Sequence, residues 1–443
     1  MYVQNYQKSK KRVLEILKKE PHGRRIHLTS VVDDIHRKKK EILKLVAKYG
    51  TPFYLIDRAN LEKSVDDFKA AFSAYLPGRP YYAVKSNYHP YILETVTKKG
   101  FGLDVSSGRE LKLAIKAGSK HIVFSGPGKT DEELTLALKY ANRVTVHIDN
   151  FNELRRLGRL AERLKRKINA GVRIFTHYHL GNKFGIPLED LKAFWDEGKK
   201  IPYIQLQGIQ SHLSWNKESD KYSKVIELLG AYIKKHFTPG MREELKFIDL
   251  GGGFFPDKVE GYYPWTGRYP CTLHGGVFIQ QAAAACGEKT EFKEPYYVTE
   301  SKTPRQYAKV ISSAVKKHLK FLPNCEFYVE PGRIISTTAM HIVVKVVDVK
   351  RFLVGITDGG LNALGWEFGE HFYYPLVNLT HPARRELNFT LYGSLCTPRD
   401  VWGHYCFAKK VENDDVIVIP NQGAYRYTLA QEFIKPIPPV YFL

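Results

Sequence analysis

A short buried-looking run ends on a lysine in "YYAVKSN", residues 81–87. The apolar "YYAV" reads as a strand, and Lys85 stands at its C-terminal end, before Ser86 and Asn87. One reading is a solvated lysine at a strand end. The other is a partly desolvated amine with a lowered pKa, able to form an imine with a carbonyl compound. Further polar groups follow other apolar runs. Asp104 follows "FGL", Arg173 lies in "GVRIF", and His212 ends "GIQSH". Gly251, Gly252 and Gly253 follow "FIDL", while Glu330, Gly332 and Arg333 lie in "EFYVEPGR". Singly, each has a plain explanation: a satisfied core histidine, a tight turn, a surface arginine. Glycine also lets a backbone approach a phosphate closely, and an arginine can add a charge-assisted partner. A lysine, a phosphate cradle and a buried carboxylate together suggest pyridoxal 5′-phosphate. The lysine would form the imine, the glycines hold the phosphate, and the carboxylate keep the pyridine nitrogen protonated so that the ring accepts electrons.

The elements that must position these groups alternate. "YYAVK" precedes "YILETVTKKG", "GLDVS" precedes "GRELKLAIKAG", "HIVFSG" precedes "DEELTLALKYA", and "VTVHID" precedes "FNELRRLGRLAERL". Strand-then-helix alternation means parallel strands with helical crossovers, and about eight such units close economically into a (β/α)8 TIM barrel. A doubly wound open sheet is the alternative. After residue 335, "MHIVVKVVDVK", "ELNFTLYGS" and "DDVIVIPN" read as strands with no long helix between them, which predicts a mostly antiparallel C-terminal β domain. The expected division is a helical segment over residues 1–50 contributing to the C-terminal domain, the barrel over 51–335, and the β domain over 336–443. Residues 257–300, rich in Gly, Tyr and Pro, read as an insertion in the barrel that could cover its mouth.

Composition narrows the function classes. The 443 residues carry a net charge of +22, spread along the chain, with local clusters "KSKKR" and "HRKKK" near the start. No zinc-finger spacing or RNA-binding signature accompanies them, so nucleic acid is not the expected partner, whereas an acidic substrate or partner is compatible. No apolar run reaches the roughly 20 residues that span a bilayer, and the first twenty residues lack the apolar core of a secretory signal. The five cysteines include no CxxC pair. A reducing, cytoplasmic setting without a disulfide framework is expected. No metal is expected, since His, Asp and Glu show no ligand spacing.

The motifs "YYAVKSN", "HLGNKFGI", "GIQSHLSWN", "FIDLGGGFFP", "EPGR", "TDGG", "CTPRD" and "GAY" occur in the order found in the fold-type III decarboxylases. That family includes ornithine, arginine and diaminopimelate decarboxylases, and the resemblance spans about residues 45–435. It implies a pyridoxal-phosphate barrel, a C-terminal β domain, and a head-to-tail homodimer with composite active sites. By resemblance, Lys85 is the imine-forming lysine. Asp104 and Arg173 line the cofactor near that lysine and the ring hydroxyl, and His212 stacks on the ring. Gly251 to Gly253, Gly332, Arg333 and Tyr425 belong to the phosphate site, and Glu330 pairs with the pyridine nitrogen. Cys396 matches the cysteine that the partner subunit supplies to protonate the substrate carbon after carbon dioxide leaves. Asp358 matches a substrate-facing aspartate, while Lys183 and Asp400 match a pair across the dimer interface.

Three positions depart from the family. Thr397 replaces the acidic residue that usually grips a substrate's distal amine, and a neutral hydroxyl offers no charge pairing. The run "DGGLNALGWEF" lacks the Arg-Pro pair that binds carboxylate in diaminopimelate decarboxylases. Trp215 stands where a small residue is usual near the phosphate, leaving Ser214 or Asn216 to substitute. Cofactor positions are kept and substrate positions are changed. The expected function is therefore α-decarboxylation of a non-standard amino acid in biosynthesis, free or tethered to an acidic carrier. Racemisation on the same fold, or a non-catalytic relative that binds the cofactor, are the alternatives.

Overall fold

The computed structural model describes residues 28–179, 182–263, 296–351, 353–365 and 372–443. The cluster "KSKKR" and residues 264–295 of the expected insertion lie outside the described residues.

Eight parallel strands form the barrel: Tyr81–Ala83, Gly102–Val105, Ile122–Phe124, Val144–Ile148, Ile168–Phe175, Ile204–Ser211, Phe247–Asp249 and Glu326–Tyr328. The last returns to the first. The Tyr81 N–H donates to the Val329 carbonyl at 2.8 Å and the Ala83 N–H to the Pro331 carbonyl at 3.0 Å. The ring is therefore closed, and the open doubly wound sheet is not adopted. Strands such as Gly102–Val105 are buried at every position, as expected where helices cover the outside and side chains fill the inside. Local sequence sets the helix starts. Thr130 and Glu133 cap each other's backbone amides at the start of Asp131–Lys139, and Thr303 and Gln306 do the same at Pro304–His318. Each crossover helix lays its apolar stripe on the barrel, as Leu154, Leu157 and Ala161 do from Phe151–Leu164.

The second sheet has eight strands, mostly antiparallel, built largely from residues after 339. One member comes from elsewhere. Phe53–Ile56, which the sequence reading put at the head of the barrel segment, pairs antiparallel with Met340–Lys350, Phe53 opposite Val343, and parallel with Val440–Phe442. The reason is burial on both faces. Tyr54 and Ile56 point into one core with Ile342 and Val344, while Phe53 and Leu55 pack with Val32, Ile35 and Ile42 of the preceding helices. A four-residue strand buried on both faces has the same pattern in either sheet.

The described flanks of the 257–300 segment join the domains. Gly261–Tyr262 pairs with Tyr297–Val298 and with Phe372–Tyr373, and the Tyr296 ring stacks on Tyr373 with centroids 3.5 Å apart. This arrangement carries the buried Glu260 to the barrel mouth. Among the described residues, no helix is long and apolar enough to cross a membrane.

Candidate active site

The C-terminal ends of the barrel strands open on a cavity of about 350 Å³, a size suited to a small cofactor. Lys85 lies just past Tyr81–Ala83, where the chain turns, and its side chain is 34% exposed toward that space. Its Nζ lies 3.0 Å from Oδ2 of the fully buried Asp104, whose other oxygen accepts from the Ser125 hydroxyl. Burial would push the amine's pKa down, but the carboxylates of Asp104 and Glu330 outweigh it and hold Lys85 above the ordinary lysine value. The direction is opposite to that of the desolvated-amine reading, because Asp104 from Gly102–Val105 and Glu330 from the loop after Glu326–Tyr328 bring two buried carboxylates to the amine.

Glu330 enters from the loop after Glu326–Tyr328. One oxygen lies 2.9 Å from His212 Nδ1, and the other accepts from Gln210 Nε2 at 3.1 Å. Burial opposes its ionisation, yet His212 and Lys85 hold the carboxyl below the usual range. His212 and Lys85 both line the cavity, and burial pushes the imidazole's pKa down. Arg173 stands behind this layer, donating to the Ser125 carbonyl at 3.1 Å with its guanidinium over the Phe184 ring.

The other end of the cavity is built to hold an anion. Gly251 and Gly253 adopt left-handed φ of +69° and +89°. A Cβ on Gly253 would sit 2.2 Å from the Leu213 carbonyl oxygen, and one on Gly252 2.5 Å from that of Glu330. No side chain fits on either residue, so their backbone can approach a ligand. The Arg333 guanidinium lies 4.8 Å from the Trp215 ring centroid, 5.0 Å from Phe255 and 4.9 Å from Tyr425. Tyr425 itself is left-handed, held there as its N–H donates to the Ser86 carbonyl at 2.6 Å. Gly332 must be small as well, since its Cβ would lie 3.1 Å from both Ala83 and Ser86. Of the two candidates beside Trp215, Ser214 lines the cavity, whereas Asn216 is buried under Gly253.

The structure thus brings Lys85, Asp104, Arg173, His212, Glu330, Gly251–Gly253, Gly332, Arg333 and Tyr425 together. The remaining candidates do not line this cavity in their own chain. Cys396 is exposed, and Thr397 stands half-buried beside it. Asp358 accepts from the Thr51 hydroxyl at 2.5 Å and the Lys345 N–H at 2.9 Å. Lys183 is exposed. Asp400 is buried and accepts the Leu361 and Leu395 N–H groups at 2.7 and 2.6 Å. Those bonds fix the loop that presents Cys396.

Sequence reasoning missed two features. Glu260, in the flank of the insertion, lies 3.5 Å from Arg333 and partly offsets its charge. His147, Asp249 and Glu330 meet inside the barrel from three separate strands or strand ends. A hydrophobic period and a motif scan pass over His147 and Asp249, because each lies in an apolar strand that looks like core, and over Glu260, because it lies in an irregular segment without a motif.

The burial of two histidines has a pH signature. Burial pushes His147 down to about 3 and His179 down to about 4, so the fold holds both neutral. Each contributes stability that is full above the unfolded pKa of about 6.5 and is lost as pH falls toward the folded value. Buried carboxyls with raised pKa, such as Asp104, act in the opposite sense, so the histidine part is read by difference. The melting-temperature advantage of the wild type over His179→Asn is expected to shrink from pH 7 to pH 5. A constant advantage would contradict the assignment.

The residues around the cavity fit pyridoxal 5′-phosphate: an amine at one wall, a carboxylate for the ring nitrogen, and a side-chain-free backbone with an arginine for the phosphate. Comparisons with known proteins agree. Residues 58–265 match the family model of the pyridoxal binding domain of pyridoxal-dependent decarboxylases. Diaminopimelate decarboxylase of Zymomonas mobilis is 27% identical over 410 residues, covering 88% of this chain and 86% of that protein. The structure of M. jannaschii diaminopimelate decarboxylase in complex with L-lysine superposes with a TM-score of 0.74 at 21% identity, covering 91% and 89% of the two chains. Lysine/ornithine decarboxylase of Vibrio vulnificus with putrescine gives 0.70 at 21% identity, covering 92% and 98%. The fold and site define a pyridoxal-phosphate-binding protein. Residues 58–265 carry the pyridoxal binding domain of the pyridoxal-dependent decarboxylase family, and the chain as a whole shares the fold of those solved structures.

Proposed function

We propose that this chain decarboxylates the α-carbon of a non-standard amino acid, as a homodimer in which each Cys396 serves the partner's cavity. The observation that carries the reading is the placement of the Lys85–Asp104 pair and the His212–Glu330 pair around one cavity whose far end is Arg333 and the glycine backbone.

When bound, pyridoxal phosphate supplies the electron sink that accepts the electrons of the breaking bond to the carboxylate. The protein supplies position and charge. Asp104 holds the Lys85 amine at the cavity wall. Glu330, kept ionised, would stabilise positive charge on a bound ring nitrogen, and His212, on the cavity wall, would narrow water access. The Arg333 guanidinium, walled by Trp215, Phe255 and Tyr425, would hold the phosphate with less competition from water. Ser214 is the hydroxyl placed to add a hydrogen bond there. The Cys396 thiol gives its proton to the α-carbon and must arrive from a second chain, because in its own chain it lies outside the cavity.

Substrate choice rests on what stands beside Cys396. Thr397 carries no charge, which disfavours a distal ammonium group of the kind in lysine or ornithine. The excess positive charge favours an acidic or carrier-tethered substrate. The assignment of the lysine is tested by loading the protein with pyridoxal phosphate, reducing with borohydride and mapping peptides. A pyridoxyl group on Lys85 is expected; its appearance on another lysine would sink the site.

A further inference from the structure

Three fully buried groups meet behind the cavity. A nitrogen of His147 and one carboxylate oxygen each of Asp249 and Glu330 lie within 4.8 Å of one another. Asp249 ends the strand Phe247–Asp249, and its Oδ1 accepts the Gly251 N–H at 2.8 Å. Its Oδ2 has no hydrogen-bond partner, and the nearest ion-pair candidate among the described residues is His147 Nε2 at 3.9 Å. Both nitrogens of His147 and the Oε1 of Gln210 are likewise without partners. Asp104 has Lys85 and Glu330 has His212, but Asp249 has no lysine or arginine ion pair among the described residues. Two carboxyl groups this close in a dry interior do not both ionise; one keeps a proton.

We propose that Asp249 is that neutral acid, a positioning residue that shares its proton with Glu330 and fixes the carboxylate from inside the barrel. The inference rests on the reading of Glu330 as the partner of the cofactor's ring nitrogen. The surroundings of Asp249 support it. Glu330 and Tyr328 face it from one strand and its continuation, His147 from Val144–Ile148, and Tyr81 from Tyr81–Ala83. Asp104 and Arg173 act from farther away. Burial and the Glu330 charge push Asp249 well above the carboxylate range, and burial keeps His147 uncharged. A proton on Asp249 lets Oδ2 donate, so a buried oxygen without a partner becomes a support for Glu330 while Glu330 keeps the negative charge that the ring nitrogen needs.

The test uses two readouts. The infrared difference spectrum of wild type minus Asp249→Asn at neutral pH is expected to show a protonated-carboxyl band; a carboxylate band in its place would overturn the proposal. Pyridoxal phosphate is then titrated by fluorescence quenching. Asp249→Ala is expected to weaken binding about ten- to hundredfold. Asp249→Asn, which still offers a donor, stays close to wild type. If Asp249→Ala binds as wild type does, or Asp249→Asn falls with it, the positioning role is refuted. A wild type that takes up no cofactor would instead defeat the functional reading, and the infrared result would still decide the proton's place.

Discussion

Lys85→Ala is expected to lose carbon dioxide release by about 10⁴-fold or more, since one side chain supplies both the covalent attachment and a proton-transfer group. Lys85→Arg should be no better. Arginine keeps the charge opposite Asp104 but cannot form the imine, so the experiment separates covalent chemistry from electrostatics. Glu330 and His212 are untouched by either change, and the cavity should still admit the cofactor, held through Arg333 and the glycine backbone. Release of labelled carbon dioxide from a turned-over substrate is the measurement. A Lys85→Ala protein within tenfold of wild type would remove Lys85 from the mechanism.

The second large effect belongs to Cys396. Cys396→Ala is expected to slow product formation about 10²- to 10³-fold, the range for loss of a positioned general acid. The sharper result is complementation. Lys85→Ala and Cys396→Ala are each inactive by this account, yet a mixed dimer holds one site with both residues intact. Equal mixing followed by subunit exchange should recover about a quarter of wild-type activity if sites are composite in a twofold dimer. Recovery of nothing would mean that Cys396 serves its own chain's cavity or none. Asp400 bears on the same loop. With both oxygens accepting the Leu361 and Leu395 amides, it holds the cysteine's backbone in place.

Much of this was legible in the sequence, for physical reasons. Strand-then-helix alternation leaves parallel strands few arrangements, and a reactive residue at a strand's C-terminal end falls at the barrel mouth whichever strand it ends. Lys85, His212, Glu330 and the glycine run were therefore found before their neighbours were known. The strand Phe53–Ile56 was misplaced because burial on both faces erases the alternation that tells sheets apart. The pKa of Lys85 took the opposite direction because it depends on Asp104 and Glu330, which reach it only through the closed barrel. His147 and Asp249 stayed hidden inside apolar strands, where their types look like exceptions in a core; only their convergence on Glu330 gives them a role. The pairing of Asp400 with Lys183 depends on a second chain, while within its own chain its carboxylate accepts two backbone amides.

The central claim is α-decarboxylation, and mass spectrometry in deuterated water tests it most directly. The protein loaded with pyridoxal phosphate is incubated with L- and D-amino acids, dicarboxylic and diamino types included, and with amino acids tethered to an acidic carrier protein. The account predicts loss of carbon dioxide with one deuterium at the former α-carbon, from an acidic or tethered substrate rather than a diamino one. Deuterium at the α-carbon with the carboxylate retained would mean racemisation and would contradict both the reaction and the role of Cys396.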